Sequence, residues 1–173
     1  MITFKYHSGI YTLEVSQFIK AGLDETWTFF SSPGNLSKIT PAHMGFQITS
    51  GTPGKMHAGQ IITYKVSPFA GLKSNWVTEI THVADKEFFV DEQRFGPYRM
   101  WHHEHIFETI DSGVIMTDRV SYKLPMGILG RFAHFLFVKG KLRQIFEYRE
   151  LIIKEIIVLL LYTFTAVSSI NIF

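Results

Sequence analysis

Along the middle of the chain, apolar and polar residues alternate with a period of two, which predicts antiparallel strands with one buried face. The alternating stretches run over 45–50, 60–66, 74–83, 87–95, 98–109 and 114–124, and a further one precedes them at 9–19. Gly51, Pro53-Gly54, Pro68, Gly71, Gly96-Pro97 and Asp111-Ser112-Gly113 fall between them, where the backbone must turn. After the first strand, Asp24-Glu25-Thr26-Trp27-Thr28-Phe29-Phe30 sets acidic residues ahead of aromatics at helical spacing, and Pro33-Gly34 stops the helix this predicts. A second brief helical turn is predicted over 35–39, closed by the extended conformation that Pro41 imposes on Thr40.

Beyond Pro125 the period becomes 3.6. Ile128, Phe132, Phe135, Leu136, Leu142, Ile145, Phe146 and Ile152 recur at three- and four-residue steps, with Arg131, Lys139, Lys141, Arg143, Glu147 and Glu150 on other faces. One long amphipathic helix over about 127–155 follows. The order of elements predicts an α+β fold, a curved antiparallel sheet of about seven strands wrapped around the final helix, with two short helices after the first strand. No repeat or linker divides the 173 residues, so residues 1–155 form one domain and 156–173 an apolar extension.

Composition narrows the function. Aromatic residues make up 15% and charged residues 18%, below the roughly 25% of an ordinary globular domain. Seventeen basic against fifteen acidic residues, with no run of like charge, argue against a nucleic-acid partner. The absence of Cys removes disulfides, thiol nucleophiles and thiolate metal sites and fits a cytoplasmic address. The first seven residues do not read as a secretory leader.

At the residue level, Phe89-Val90-Asp91-Glu92-Gln93, Gly96-Pro97-Tyr98, Trp101-x-His103-x-His105-x-Phe107 and Thr117-Asp118-Arg119-Val120-x-Tyr122-x-Leu124-Pro125 carry a resemblance. So do Trp27, Asn35-Leu36, Ile39-Thr40-Pro41 and Ile145-Phe146-x-Tyr148-Arg149. Together they resemble the START/SRPBCC superfamily, the helix-grip fold also known from the major birch pollen allergen, in its bacterial polyketide cyclase/dehydrase-like or cell-division-inhibitor-like branch. The resemblance covers about residues 8–155. It implies an apolar cavity between sheet and long helix that binds lipids, polyketides or other hydrophobic molecules, without a metal or other cofactor. On that basis Trp76, Gln93, Tyr98, Trp101, His103, Phe107, Met116, Tyr122, Phe132, Phe135 and Phe146 are expected to line the cavity.

The hairpin 98–124 can be read without the family. Alternation turns Val114, Met116, Asp118, Val120 and Tyr122 inward on one strand and Trp101, His103, His105 and Phe107 on the other. A loop over 110–113 would set His105 opposite Asp118, whereas a Ser112-Gly113 turn would set it opposite Val120 with Asp118 diagonal. In either register imidazole and carboxylate are neighbours. They could form an acid/base pair or a buried structural pair. Asp91 and Gln93 would join the same wall if Phe89 points inward. His103-x-His105 places two imidazoles on one strand face, with Asp118 as the third ligand a metal would need, but no Cys or His-Glu-x-x-His helix accompanies them, and no metal is expected. Dinucleotide, P-loop and serine-hydrolase motifs are absent.

Three functions remain: binding of a hydrophobic small molecule, cyclisation or dehydration by His105 and Asp118, and a regulatory protein interaction. The uncharged 18-residue tail would span roughly 27 Å as a helix, close to the ~30 Å of a bilayer core. Its five Ser, Thr and Asn residues count against a tail anchor, so helix packing in a dimer and an extension with no selected role stand beside attachment to a membrane.

Overall fold

The computed structural model describes residues 1–50, 54–69 and 72–168, the side chains of 68, 69, 72 and 157–168 excepted. Alternation along the chain becomes alternation of burial: from Gly113 to Lys123 every second residue, Val114, Met116, Asp118, Val120 and Tyr122, is buried. Strands β1 (Thr3–His7), β2 (Ile10–Ile19), β3 (Gln47–Ile48), β4 (Gln60–Phe69), β5 (Leu72–Ala84), β6 (Phe88–Phe95), β7 (Met100–Ile110) and β8 (Gly113–Lys123) form a single sheet in the order β1-β2-β8-β7-β6-β5-β4-β3. Every neighbouring pair is antiparallel. Helix α1 (Leu23–Phe30) and two 3-10 turns (Pro33–Ser37 and Ala42–Met44) follow β2, and after β8 come α2 (Gly127–Ala133), a π-helical stretch (His134–Val138) and α3 (Lys139–Ser168). This is the helix-grip arrangement.

The sheet has eight strands rather than about seven. The extra one, β1, is a five-residue edge strand paired only with β2: Thr3-Phe4-Lys5-Tyr6-His7 alternates, but over too short a stretch to stand out, and only Phe4 of it is partly covered. The strand expected over 45–50 shrinks to two residues, because Gly45 adopts a left-handed conformation (φ 54°) that ends a 3-10 turn. Turn residues Gly51 and Pro53 fall outside the described residues, as does Gly71.

The largest departure lies after Pro125. Ile128, Phe132, Phe135 and Leu136 are 74%, 63%, 81% and 58% exposed, while Gly130, His134, Val138, Leu142, Phe146, Arg149 and Ile153 form the buried stripe. The π-helical stretch adds a residue to one turn and so rotates the preceding helix face relative to α3. Gly130 packs at the turn, where a Cβ would lie 2.1 Å from the carbonyl oxygen of Pro125. The tail at 156–173 continues α3 as far as Ser168, and its side chains past Ile156 lie outside the described residues. Among the described residues no helix is long and apolar enough to cross a membrane.

The β7–β8 turn fixes the register that builds the site. Thr109 pairs with Val114 and His105 with Asp118, the first of the two registers the hairpin allowed. Gly113 closes this turn at φ 154°, and a Cβ there would lie 2.2 Å from the carbonyl oxygen of Ile19 on β2. Gly113→Ala is therefore expected to destabilise the protein by about 1–3 kcal/mol through this overlap, measured by urea unfolding. A cost below the error of that measurement would show that β2 yields.

Candidate functional site

Three neighbouring strands and the long helix bring five ionisable side chains together on the concave face. Pairing of β6 with β7 sets Asp91 opposite His103, and pairing of β7 with β8 sets His105 opposite Asp118. Arg149 approaches from α3. His103 Nε2 lies 2.8 Å from Asp118 Oδ1 and His105 Nε2 lies 3.0 Å from Asp91 Oδ2. The remaining ring nitrogens complete the lattice: His105 Nδ1 is 2.9 Å from Asp118 Oδ1 without hydrogen-bond alignment, and His103 Nδ1 is 3.4 Å from Asp91 Oδ2. The two imidazoles, 3.8 Å apart between ring centres, stand between two carboxylates. Arg149 Nη1 is 3.8 Å from Asp118 Oδ1.

This geometry sets where a proton is favoured. Burial works to raise both carboxylates, but His103 and His105 outweigh it and hold Asp91 and Asp118 below the usual carboxylate range, Asp118 far below. Burial works to lower His105, yet its contacts with Asp118 and Asp91 lift it above the ordinary imidazole value. His103, under the same burial and beside the His105 charge, is pushed down. The surroundings thus favour a proton on His105 and disfavour one on His103. The cluster can hold a proton on His105 at the cavity wall and give it to an acceptor placed there.

A cavity of about 170 Å³ lies over this cluster, between the sheet, α3 and the segment that carries α1 and the 3-10 turns. Trp76, Tyr98, Trp101, His103, His105 and Phe146 border it, as does Asp91. Asp118 sits behind the imidazoles. Phe107, Met116 and Tyr122 are buried, but in the core beyond the cavity wall. Gln93 is engaged elsewhere: its Nε2 donates to the Tyr98 carbonyl at 2.6 Å and its Oε1 accepts from the Tyr98 N–H at 3.1 Å, bracing the β6–β7 loop. Phe132 and Phe135 do not reach the cavity, because the π-helical stretch turns them outward.

Two residues escaped the sequence reading. Arg149 figured only as part of a family motif, although it is 9% exposed and borders the cavity. Its position four residues after Ile145 and three after Phe146 was a usable signal, since those place it on the buried stripe. His134 is buried, stacks on Tyr11 at 3.6 Å and shares a 2.8 Å hydrogen bond with the Tyr122 hydroxyl. It sits within an apolar run whose face depends on the π-helical stretch, so no local pattern marked it.

Asp91, His103 and His105 each present a ligand atom within 4.8 Å of the others, a set able to hold a metal ion. The sequence pointed to Asp118 as a third ligand; the fold puts Asp91 there and Asp118 behind both rings.

No family model matches the chain, and no curated protein does. Solved structures do. The chain is similar to TTHA0849 from Thermus thermophilus, at 13% identity and a TM-score of 0.61, over 85% of this chain and 97% of that one. It is similar to Ara h 8.0201, at 15% identity and 0.58, over 85% and 99%. It is also similar to the KanY protein, at 15% identity and 0.63, over 83% and 94%. At these identities the likeness establishes the fold.

Proposed function

We propose that this helix-grip protein binds a hydrophobic small molecule in the cavity between its sheet and long helix. The observation that carries the reading is the wall itself: aromatic and aliphatic over most of its area, with its acidic and basic groups confined to Asp91, His103, His105 and Arg149. A few placed polar groups in an apolar pocket are what orient a bound ligand. The cavity of about 170 Å³ compares with one of ~150 Å³ that accepts benzene, so the enclosed part of the ligand is about one ring in size. Gentle purification followed by native mass spectrometry is expected to find an apolar molecule bound. Val66→Phe, which fills buried space on the wall, should release it. Protein that carries nothing and takes up no apolar probe after stripping would end this reading.

A second reading, contact with an anionic membrane surface, is supported by the outward face of α2 and the π-helical stretch. Ile128, Leu129, Phe132, Phe135 and Leu136 are each more than half exposed. Between 127 and 143 stand Arg131, Lys139, Lys141 and Arg143 and no acidic residue. Exposed bulky apolar side chains beside a basic cluster match the interfacial mode of membrane binding, with the uncharged tail at 156–173 as an additional attachment. Flotation with phosphatidylcholine vesicles, with and without phosphatidylserine, tests it. The full chain should float with the anionic vesicles and Phe132→Ser/Phe135→Ser should not. A full chain that stays unbound, or that self-associates through this face, rules against membrane contact.

A further inference from the structure

Two donors on the cavity wall are buried without a hydrogen-bond partner: the Arg149 Nε–H and the Trp76 indole N–H. Arg149 is the more telling. A guanidinium carries five donors and no acceptor, yet among the described residues the Arg149 side chain makes no hydrogen bond, and its Nε is buried. Its guanidinium carbon lies 4.9 Å from the Phe146 ring centre, and its closest counter-charge, Asp118 Oδ1, stands at 3.8 Å from Nη1. Leaving buried donors unmet is costly, and a group kept in that state beside a cavity is explained if the cavity's occupant supplies the acceptor.

We infer that Arg149 is the polar anchor of the bound molecule, and that this molecule presents to it an uncharged carbonyl oxygen, as in a ketone, aldehyde, ester or lactone on a ring. The inference rests on the ligand-binding reading and adds the chemical class. An oxygen is required because the guanidinium only donates. The absence of charge follows from what surrounds it. Asp118 on β8 and Asp91 on β6 already engage the basic groups that face them, His103 and His105 on β7 and, for Asp118, Arg149 on α3, and the Tyr64 hydroxyl on β4 is hydrogen-bonded to Thr78. An entering carboxylate would be a third acid competing for those same groups in an apolar cavity, with Asp91 on the same wall, a large penalty. A carbonyl accepts the N–H and leaves those pairs intact. A hydrocarbon fills the space but leaves Arg149 unmet.

Three one-ring probes separate these cases by NMR titration of the full chain: ethylbenzene, acetophenone and benzoate. Acetophenone should bind about tenfold more tightly than ethylbenzene, the increment a hydrogen bond to a charged group brings. It should also shift the Arg149 Nε–H resonance, and benzoate should bind more weakly than acetophenone. Arg149→Met keeps the apolar stem, so acetophenone should fall to the affinity of ethylbenzene while ethylbenzene itself is little changed. If Arg149→Met does not fold, the wild-type ranking and the Arg149 resonance decide alone. Equal binding of acetophenone and ethylbenzene, or a carbonyl preference that survives Arg149→Met, overturns the anchor. Benzoate binding most tightly overturns the uncharged class. Ethylbenzene binding with no carbonyl preference sinks the inference and leaves the ligand-binding reading standing, whereas failure of all three probes takes down both.

Discussion

Asp118→Asn is expected to lower the unfolding free energy at pH 7 by about 3–5 kcal/mol, the cost of leaving a buried charge without its counter-ion. Asp118 lies 2.8 Å from His103 Nε2 and 2.9 Å from His105 Nδ1, and it is 3% exposed. Without its charge, His105 loses the group that holds it protonated against burial, and Arg149 loses its closest counter-charge. The amide can keep only part of the hydrogen bonding, since its NH₂ cannot accept from an imidazole. Urea unfolding measures the loss. Histidine NMR should show the His105 pKa falling in the same variant. In His105→Asn the added cost of Asp118→Asn should shrink, because the two substitutions then remove one shared interaction. A loss under about 1 kcal/mol would mean that water reaches the cluster and solvates the ions.

Stability should also fall steeply on acidification below about pH 6.5. His103 is lowered by burial, and His134 is pushed down to about 4 by burial and the Lys139 charge. In that window the unfolded chain takes up protons that the folded one refuses, so stability drops as pH falls from 6.5 toward 4. Below about 4 the carboxylates add to the loss. Asp91 and Asp118 are depressed in the fold, so the stability they contribute is present above the ordinary carboxylate value and disappears as pH falls past it. His105 runs the other way. Its raised pKa means that its pairing contributes fully below about 6.5 and is lost as pH rises through the folded value. The result is a maximum near neutrality, with a steep acid limb approaching about 1.4 kcal/mol per pH unit for each proton taken up and a shallow alkaline limb. Urea midpoints measured from pH 3 to 9 give the profile. A flat acid limb would contradict the lowered pKa of His103 and His134.

What the sequence determined by itself is what short-range periodicity can encode. Alternation of Val114, Met116, Asp118, Val120 and Tyr122 shows which side of a strand is buried because successive side chains of a strand must point to opposite faces. The turn Asp111-Ser112-Gly113 left two registers, both of which made His105 and Asp118 neighbours, so three of the five members of the buried cluster, with His103, were legible from a single hairpin. The other two were not fixed by it: Asp91 was legible only on condition that Phe89 points inward, and Arg149 only as part of a resemblance. Asp91 reaches His105 only because β6 pairs with β7, and Arg149 reaches Asp118 only because α3 lies across the sheet, 31 residues further along the chain. Which ring the surroundings favour for a proton depends on the distances among four groups drawn from three strands, and no spacing records them. The helix after Pro125 shows the same limit from the other side. Its 3.6-residue period was real, but one π-helical stretch turned Phe132 and Phe135 to the surface and drew His134 inside. A repeat defines a face only while the helical turn stays constant, and where that turn changes, packing against the sheet decides which residues are covered.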